Sequence, residues 1–317
     1  MKKILKVCSV VLMIFLLIGL SGCNKEKEKK LTIVSTNYPG YDFARAILKN
    51  NENISIKMLL KPGADLHHYE PTPQDIIDIK NSKMFIYVGG DSDEWVKNIL
   101  KEIDVNKTKV VKLMDMVNLV TEEEVEGMQS SEEDHNHHED EEEYDEHVWT
   151  SPINAMKIVN NLKEEIIKID YNNKKIYESN AEEYIKKLNN IDIEIKKIIK
   201  YAKRTEILFA DRFPLRYFTE EYKLKYYAAF PGCAHETEAS AKTISFLVDK
   251  VKEDKIPVVF HIELSDKKIA KTISKETGAK ILEFNSAHNI TKEDFDKGIT
   301  YIDIMNRNIE VLKEALN

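Results

Sequence analysis

Residues 54–80 read ISIKMLLKPGADLHHYEPTPQDIIDIK. The opening run, 54–60, is short and apolar with β-branched residues, the signature of a buried strand. Further on, Thr72 can N-cap a helix, Pro73 suits its first position and Asp75 its third. A strand therefore ends in a loop carrying His67 and His68, and the loop leads straight into a helix over 73–80. Ligands of open α/β sheets gather at the carboxyl ends of strands, which is where His67 stands.

Working outward, similar short runs occur at 31–35, 84–88 and 109–113, separated by helically spaced stretches such as 41–49 and 94–103. A second series follows at 206–210, 225–229, 256–262 and 280–284, with helices between and a last helix over 301–316. Strand alternating with helix predicts an α/β fold with parallel sheets, here as two lobes. Between the two series, Tyr177, Ala181, Tyr184, Leu188, Ile191, Ile195 and Ile198 step by four and three along one face of a single long helix. At 1.5 Å per residue it reaches ~40 Å. A coiled-coil dimer seam would show the same spacing. Between two α/β lobes, however, the face is expected to pack within the chain, leaving a monomer. The expected division is an N-terminal lobe over 31–171, a linking helix over 172–201 and a C-terminal lobe over 202–317.

The N-terminus sets the compartment. Lys2, Lys3 and Lys6 precede an apolar run, 7–20, too short for a membrane span of ~20 residues but suited to a signal peptide. The run ends in Leu20-Ser21-Gly22-Cys23, which resembles the lipobox of bacterial lipoproteins. The resemblance implies removal of residues 1–22 and a lipid thioether on Cys23, against the alternative of an uncleaved anchor helix. It places the chain on the outer face of the cytoplasmic membrane of a bacterium. The alternating Lys/Glu stretch through residue 30 reads as a solvated tether. Of the three cysteines, Cys8 leaves with the signal and Cys23 is acylated, so Cys233 remains alone and no internal disulfide can form. The remaining chain, about 290 residues, is long enough for two ordinary domains held by their own cores.

The formal net charge is −8, yet fourteen Asp and Glu and no Lys or Arg lie between Thr121 and His147. The acidity is one insertion, and the rest of the chain is net positive. No basic stripe with interleaved aromatics supports nucleic-acid binding.

A second segment, Asp145-Glu146-His147-Val148-Trp149-Thr150-Ser151-Pro152-Ile153-Asn154-Ala155, also stands just before a helix. Together with Pro62-Gly63-Ala64-Asp65-Leu66-His67-His68-Tyr69-Glu70-Pro71-Thr72-Pro73 it resembles the first two ligand motifs of a known family. These are the metal-binding lipoproteins of ABC importers, the cluster A-I solute-binding proteins (ZnuA/TroA-like). That family typically shows Pro-Gly-x-Asp-Pro-His-x-Tyr-Glu-Pro-Thr-Pro and, later, Asp-Pro-His-x-Trp-x-x-Pro-x-Asn-Ala. The likeness runs over nearly the whole mature chain, including the linking helix and Gly298-Ile299-Thr300-Tyr301 through Met305, Asn308 and Leu312. It implies two lobes on a rigid helix, one metal in the cleft, and a membrane permease as partner. His67 and His147 match ligand positions. Leu66 and Glu146 stand where proline is usual.

The family's third ligand follows the first strand of the second lobe, ahead of an aromatic pair matching Tyr217-Phe218. Here Asp211 is the only metal-competent residue near that position, and its spacing to Tyr217 is one residue longer than usual. The other reading is a structural aspartate paired with Arg212 or Arg216. His288 occupies the fourth position, after the last strand, where the family often has a carboxylate. Three imidazoles and one carboxylate suit tetrahedral Zn2+ better than Mn2+, which favours oxygen. A manganese or iron receptor of the same family is the alternative.

Inside the acidic insertion, His135, His137 and His138 lie in a segment too charged to fold alone. The resemblance implies weak metal capture beside the cleft, against a merely solvated loop. His68 is expected to face solvent or to lie behind a ligand. His261 reads as a satisfied interior histidine, Glu263 as the acceptor that orients a ligand imidazole, and His235 as a weaker ligand candidate on a loop able to close over the cleft. A zinc hydrolase would need an open coordination position and a general base, and no catalytic motif is found, so an enzyme is not expected. A lipid-anchored zinc-binding adhesin would share the export signal without needing histidines at strand ends.

Overall fold

The computed structural model describes residues 30–65, 69–129, 143–234 and 238–317. The signal segment, Cys23, His67, His68, His235 and the insertion histidines His135, His137 and His138 lie outside the described residues.

The first lobe runs β1 (Leu31–Ser35), α1 (Tyr38–Ile47), β2 (Ile54–Met58), α2 (Pro73–Asn81), β3 (Met84–Tyr87), α3 (Val96–Leu100) and β4 (Lys109–Lys112). Its sheet has the order β2-β1-β3-β4, with β1 and β4 both parallel to β3. The start of α2 is built as its sequence requires: Thr72 accepts from the Asp75 N–H, and Asp75 accepts from the Thr72 N–H at 3.1 Å. The helix expected over 94–103 is shorter. Ahead of it, Asp91–Asp93 form a 3-10 turn, and the Asp93 carboxylate takes the N–H groups of Val88 (2.6 Å) and Gly89 (3.1 Å) at the end of β3.

Two helices then lead out of the lobe, α4 (Pro152–Ile169) and α5 (Lys174–Lys200). Along α5, Tyr177, Ala181, Tyr184, Leu188, Ile191 and Ile195 are buried. This face packs on α4, on α1 and on the C-terminal helix, so the seam is satisfied within the chain. Two polar clasps fix its middle. Tyr184 donates its hydroxyl to Asp42 of α1 at 2.8 Å, and Asp192 accepts the hydroxyl of Tyr222, beyond β5, at 3.0 Å.

The second lobe runs β5 (Glu206–Phe213), α6 (Arg216–Tyr222), β6 (Lys225–Pro231), α7 (Ala241–Glu253), β7 (Val258–His261), α8 (Lys268–Thr277) and β8 (Lys280–Glu283). Short α9 (Lys292–Asp296) and the closing α10 (Tyr301–Leu316) follow. The order β6-β5-β7-β8 repeats that of the first lobe, and the pairs β5–β6, β5–β7 and β7–β8 are parallel. β5 extends past the expected 210. Phe209 pairs with Ala228 but Arg212 with Phe230, so Ala210 and Asp211 form a bulge. The residue by which this stretch exceeds the usual spacing to Tyr217 is absorbed there, and a bulge re-aims the side chains it carries. Among the described residues, no helix is long and apolar enough to cross a membrane.

Candidate metal centre

Both lobes present the carboxyl ends of their strands to one cleft. From the first lobe comes His147, fully buried at the head of the turn before α4. Asp145 Oδ1 accepts the His147 backbone N–H at 2.8 Å and lies 3.3 Å from the ring Nδ1. A carboxylate against one ring nitrogen selects the tautomer and raises the basicity of the other nitrogen toward a metal. Burial, the largest single influence, lowers the His147 pKa, but the charges of Asp145, Glu146 and Glu122 and the Asp145 hydrogen bond together outweigh it, and the ring sits above its usual value.

Glu146, where the family carries proline, is also fully buried. It accepts from the backbone N–H of Ser92 at 3.0 Å and from the Ser92 hydroxyl. Two hydrogen bonds thus hold a turn that a proline ring holds elsewhere. Gly90 makes room for it: a Cβ there would stand 2.2 Å from Glu146 Oε2.

From the second lobe comes His288, in the loop after β8. Glu263 accepts its backbone N–H at 3.0 Å, and also accepts the N–H (2.7 Å) and hydroxyl (2.6 Å) of Ser286. Glu263 therefore positions this histidine by holding its backbone. Ala287, just before it, has φ of 58°, a left-handed conformation that a non-glycine residue adopts only when its surroundings enforce it. Burial, and then the charge of His147, push the His288 pKa well below its usual range. The ring stays neutral, the form in which imidazole binds a metal.

The rings of His147 and His288 lie 5.3 Å apart across the lobes. The two segments are tied together behind them, since Trp149 Nε1 donates to the Ser286 carbonyl at 2.9 Å and Tyr301 donates to the Trp149 carbonyl at 2.6 Å. The stem of the His67 loop docks on the same place. Gly63 N–H donates to the Ile290 carbonyl at 2.8 Å, and Asn289 Nδ2 reaches the carbonyls of Lys61 and Ala64 at 2.9 and 2.5 Å. Asp65, two residues before His67, pairs with Arg212 of β5 at 2.7 Å.

Asp211 lines a cavity of about 300 Å³ with Asp65, Arg212, Glu263 and His288. Its Oδ1 accepts the Arg212 backbone N–H at 2.9 Å, and burial raises its pKa. The ion pairs of the two neighbouring arginines go elsewhere, Arg212 to Asp65 and Arg216 to Glu123 and Glu220. His261 is an interior histidine, 2% exposed, with Nδ1 at 2.8 Å from the Ile262 carbonyl. One residue that sequence reasoning passed over stands beside His147. Among the described residues, Glu146, His147 and Cys233 form a group of three donors lying within 4.8 Å of one another. Cys233 stands two residues after the end of β6, and that placement after a strand was the available signal. Counting cysteines only for disulfides hides it.

Two parallel-sheet lobes on one long helix, with histidines from both converging on the cleft, define the two-lobed solute-binding class to which metal receptors belong. The model of the family described as "Zinc-uptake complex component A periplasmic" (ZnuA) matches residues 33–315. The chain is 34% identical over 93% of its length to the high-affinity zinc uptake system protein ZnuA of Bacillus subtilis, covering 90% of that protein. It is 32% identical to the zinc-binding lipoprotein AdcA of Streptococcus pneumoniae, matching 99% of this chain but spanning 61% of AdcA. The crystal structure of the Zn(II)-bound ZnuA-like domain of that AdcA aligns over 91% of this chain and 99% of the domain, with a TM-score of 0.74 at 28% identity. The chain belongs to the ZnuA family. That family consists of metal-binding transport receptors and is not an enzyme family.

Proposed function

We propose that this chain captures Zn2+ outside the cytoplasmic membrane and hands it to the permease of an ABC importer, as a binding protein without catalysis of its own. The observation that carries this reading is the approach of His147 and His288, from opposite lobes, to a ring separation of 5.3 Å. Two buried imidazoles so placed, one backed by Asp145 and the other kept neutral, are two ligands of a tetrahedral zinc site. His67 supplies a third imidazole from the loop whose stem is docked on residues 289–290. The fourth donor comes from the second lobe, where Asp211 lines the same cavity as His288 and Cys233, after β6, lies beside His147. Cleavage before Cys23 and its acylation tether the body to the membrane, with residues 23–30 as leash and lobes over 31–171 and 202–317. His135, His137 and His138 of the acidic insertion gather zinc weakly at the rim.

Elemental analysis of the purified chain is expected to give stoichiometric zinc. Replacing His67 and His147 together by alanine is expected to abolish tight binding. A double variant that keeps its zinc affinity overturns the reading.

A further inference from the structure

Residues 120–129 belong by chain order to the first lobe, yet their far end lies on the second. The near end is part of the His147 segment, since the Val120 carbonyl accepts the Asp145 N–H at 3.0 Å. From there the side chains cross over. Glu122 Oε1 accepts the Cys233 N–H at 3.3 Å, and Glu123 pairs with Arg216 of α6 at 3.1 Å. The chain then turns, with the Met128 N–H donating to the Val125 carbonyl at 3.1 Å. Gly127, at φ of 87°, lies against α7 so closely that a Cβ there would run into the ring of Phe246. Gln129 makes the last fastening. Its N–H donates to the Ala229 carbonyl of β6 at 2.9 Å, and its Oε1 accepts the N–H of Ser240, the N-cap of α7, at 2.7 Å. β6 is an edge strand of its sheet, and an edge left bare presents unpaired backbone groups. A piece of the first lobe covers it here.

Resting on the zinc reading above, we infer that residues 120–129 are a strap that holds the β6 end of the second lobe on the His147 turn and so sets how fast the ion leaves, with Gln129 as the positioning residue that fastens it. Asp145, which backs the His147 ring, hangs between Val120 of the strap and Tyr217 of the second lobe. Once Gln129 lets go, the strap is held only by the contacts nearest its root, and the His147 turn parts from the second lobe more often. An arriving ion meets the same donors in either case. The strap therefore acts on release and leaves association as it is.

The test uses the whole chain with Gln129→Ala, and with Gly127→Ala, which lifts the strap without touching Gln129. In the metal-free protein, the amide hydrogens of Gln129 and Ser240 are expected to exchange slowly in the wild type; in Gln129→Ala the Ser240 amide is expected to exchange fast, and in Gly127→Ala both. Zinc release into a chelator, followed by stopped flow, is expected to quicken about 2- to 10-fold in both variants, the span that loss of one hydrogen bond carries. The association rate is expected to stay unchanged. Gln129→Glu keeps an acceptor at the head of α7, where a negative charge is favoured, and is expected to restore slow release. Fast exchange of both amides in the wild type overturns the strap. Lost protection with unchanged release makes the segment a mere edge cover, which overturns its control of the ion and leaves the zinc receptor standing. A wild-type chain that binds no zinc overturns both.

Discussion

The hydroxyl of Tyr217, on α6 of the second lobe, donates to the carbonyl of Asp145 at 2.7 Å and accepts the Val120 N–H at 3.3 Å. A side chain of one lobe thereby holds the backbone turn of the other, two residues before His147. Tyr217→Phe keeps the ring and leaves that carbonyl unsatisfied. The expected cost is ~1–2 kcal/mol, read as a drop of a few degrees in Tm. Zinc affinity is expected to fall by up to ~10-fold, the low end of what groups standing behind a metal ligand carry. Unchanged stability and affinity would show that the two lobes hold this turn by packing alone.

The ion pair between Asp65 and Arg212 links the stem of the His67 loop to β5. Arg212 is nearly buried there and Asp65 about one-third exposed. A double-mutant cycle on Asp65→Asn and Arg212→Gln is expected to show a coupling of about 1 kcal/mol in the metal-free protein. The Asp65 variant is expected to release zinc faster, by stopped-flow with a chelator. Strict additivity would mean that the pair does not secure the loop.

Asp93 is buried, and burial, followed by the nearby Glu146, raises its pKa to about 7. A folded-state value above the unfolded one gives stability that is full below about pH 4 and is lost as pH rises through 7. The metal-free protein is therefore expected to lose stability across that window with a slope of at most ~1.4 kcal/mol per pH unit from this group. Asp93→Asn keeps an oxygen for the N–H groups of Val88 and Gly89 and is expected to flatten that slope. Denaturant melts at several pH values, wild type against variant, decide it.

The acidic insertion leaves and re-enters the body at a fixed place, since Thr121 bridges Tyr144 and the Glu122 N–H donates to the Glu143 carbonyl at 2.9 Å. Deleting residues 132–142 spares that closure while removing His135, His137 and His138. Calorimetry is expected to show loss of weak zinc equivalents with the tight site nearly unchanged, because ordering a charged segment around a metal carries a large entropy cost. Loss of the tight site would make one of these histidines a primary ligand.

The strand-and-helix order, the capped start of α2, and the placement of His147 just before a helix and of His288 after the last strand were legible because each depends on local sequence. The face of α5 was legible too, though its partners were not, since spacing reveals an apolar stripe without saying what covers it. Glu146 reads as a departure from a proline motif. That it holds its turn through Ser92 depends on a contact between residues 54 apart in the chain. Cys233 was hidden for a related reason: nothing near it in sequence binds metal, and its companions arrive from the other lobe. The bulge at Asp211 showed itself only as one surplus residue.

The helix α5 runs unbroken through 27 residues and is clasped along its middle to Asp42, through Tyr184, and to Tyr222, through Asp192. A strand crossover can swivel about a few dihedral angles, whereas a helix bends only by giving up its own i to i−4 hydrogen bonds. The two lobes therefore have little angular freedom with which to let an ion escape. A permease gripping the rims of both lobes gains no leverage by prying. What the lobes hold between them is then released by movements of side chains and short loops, not by the swing of one lobe against the other.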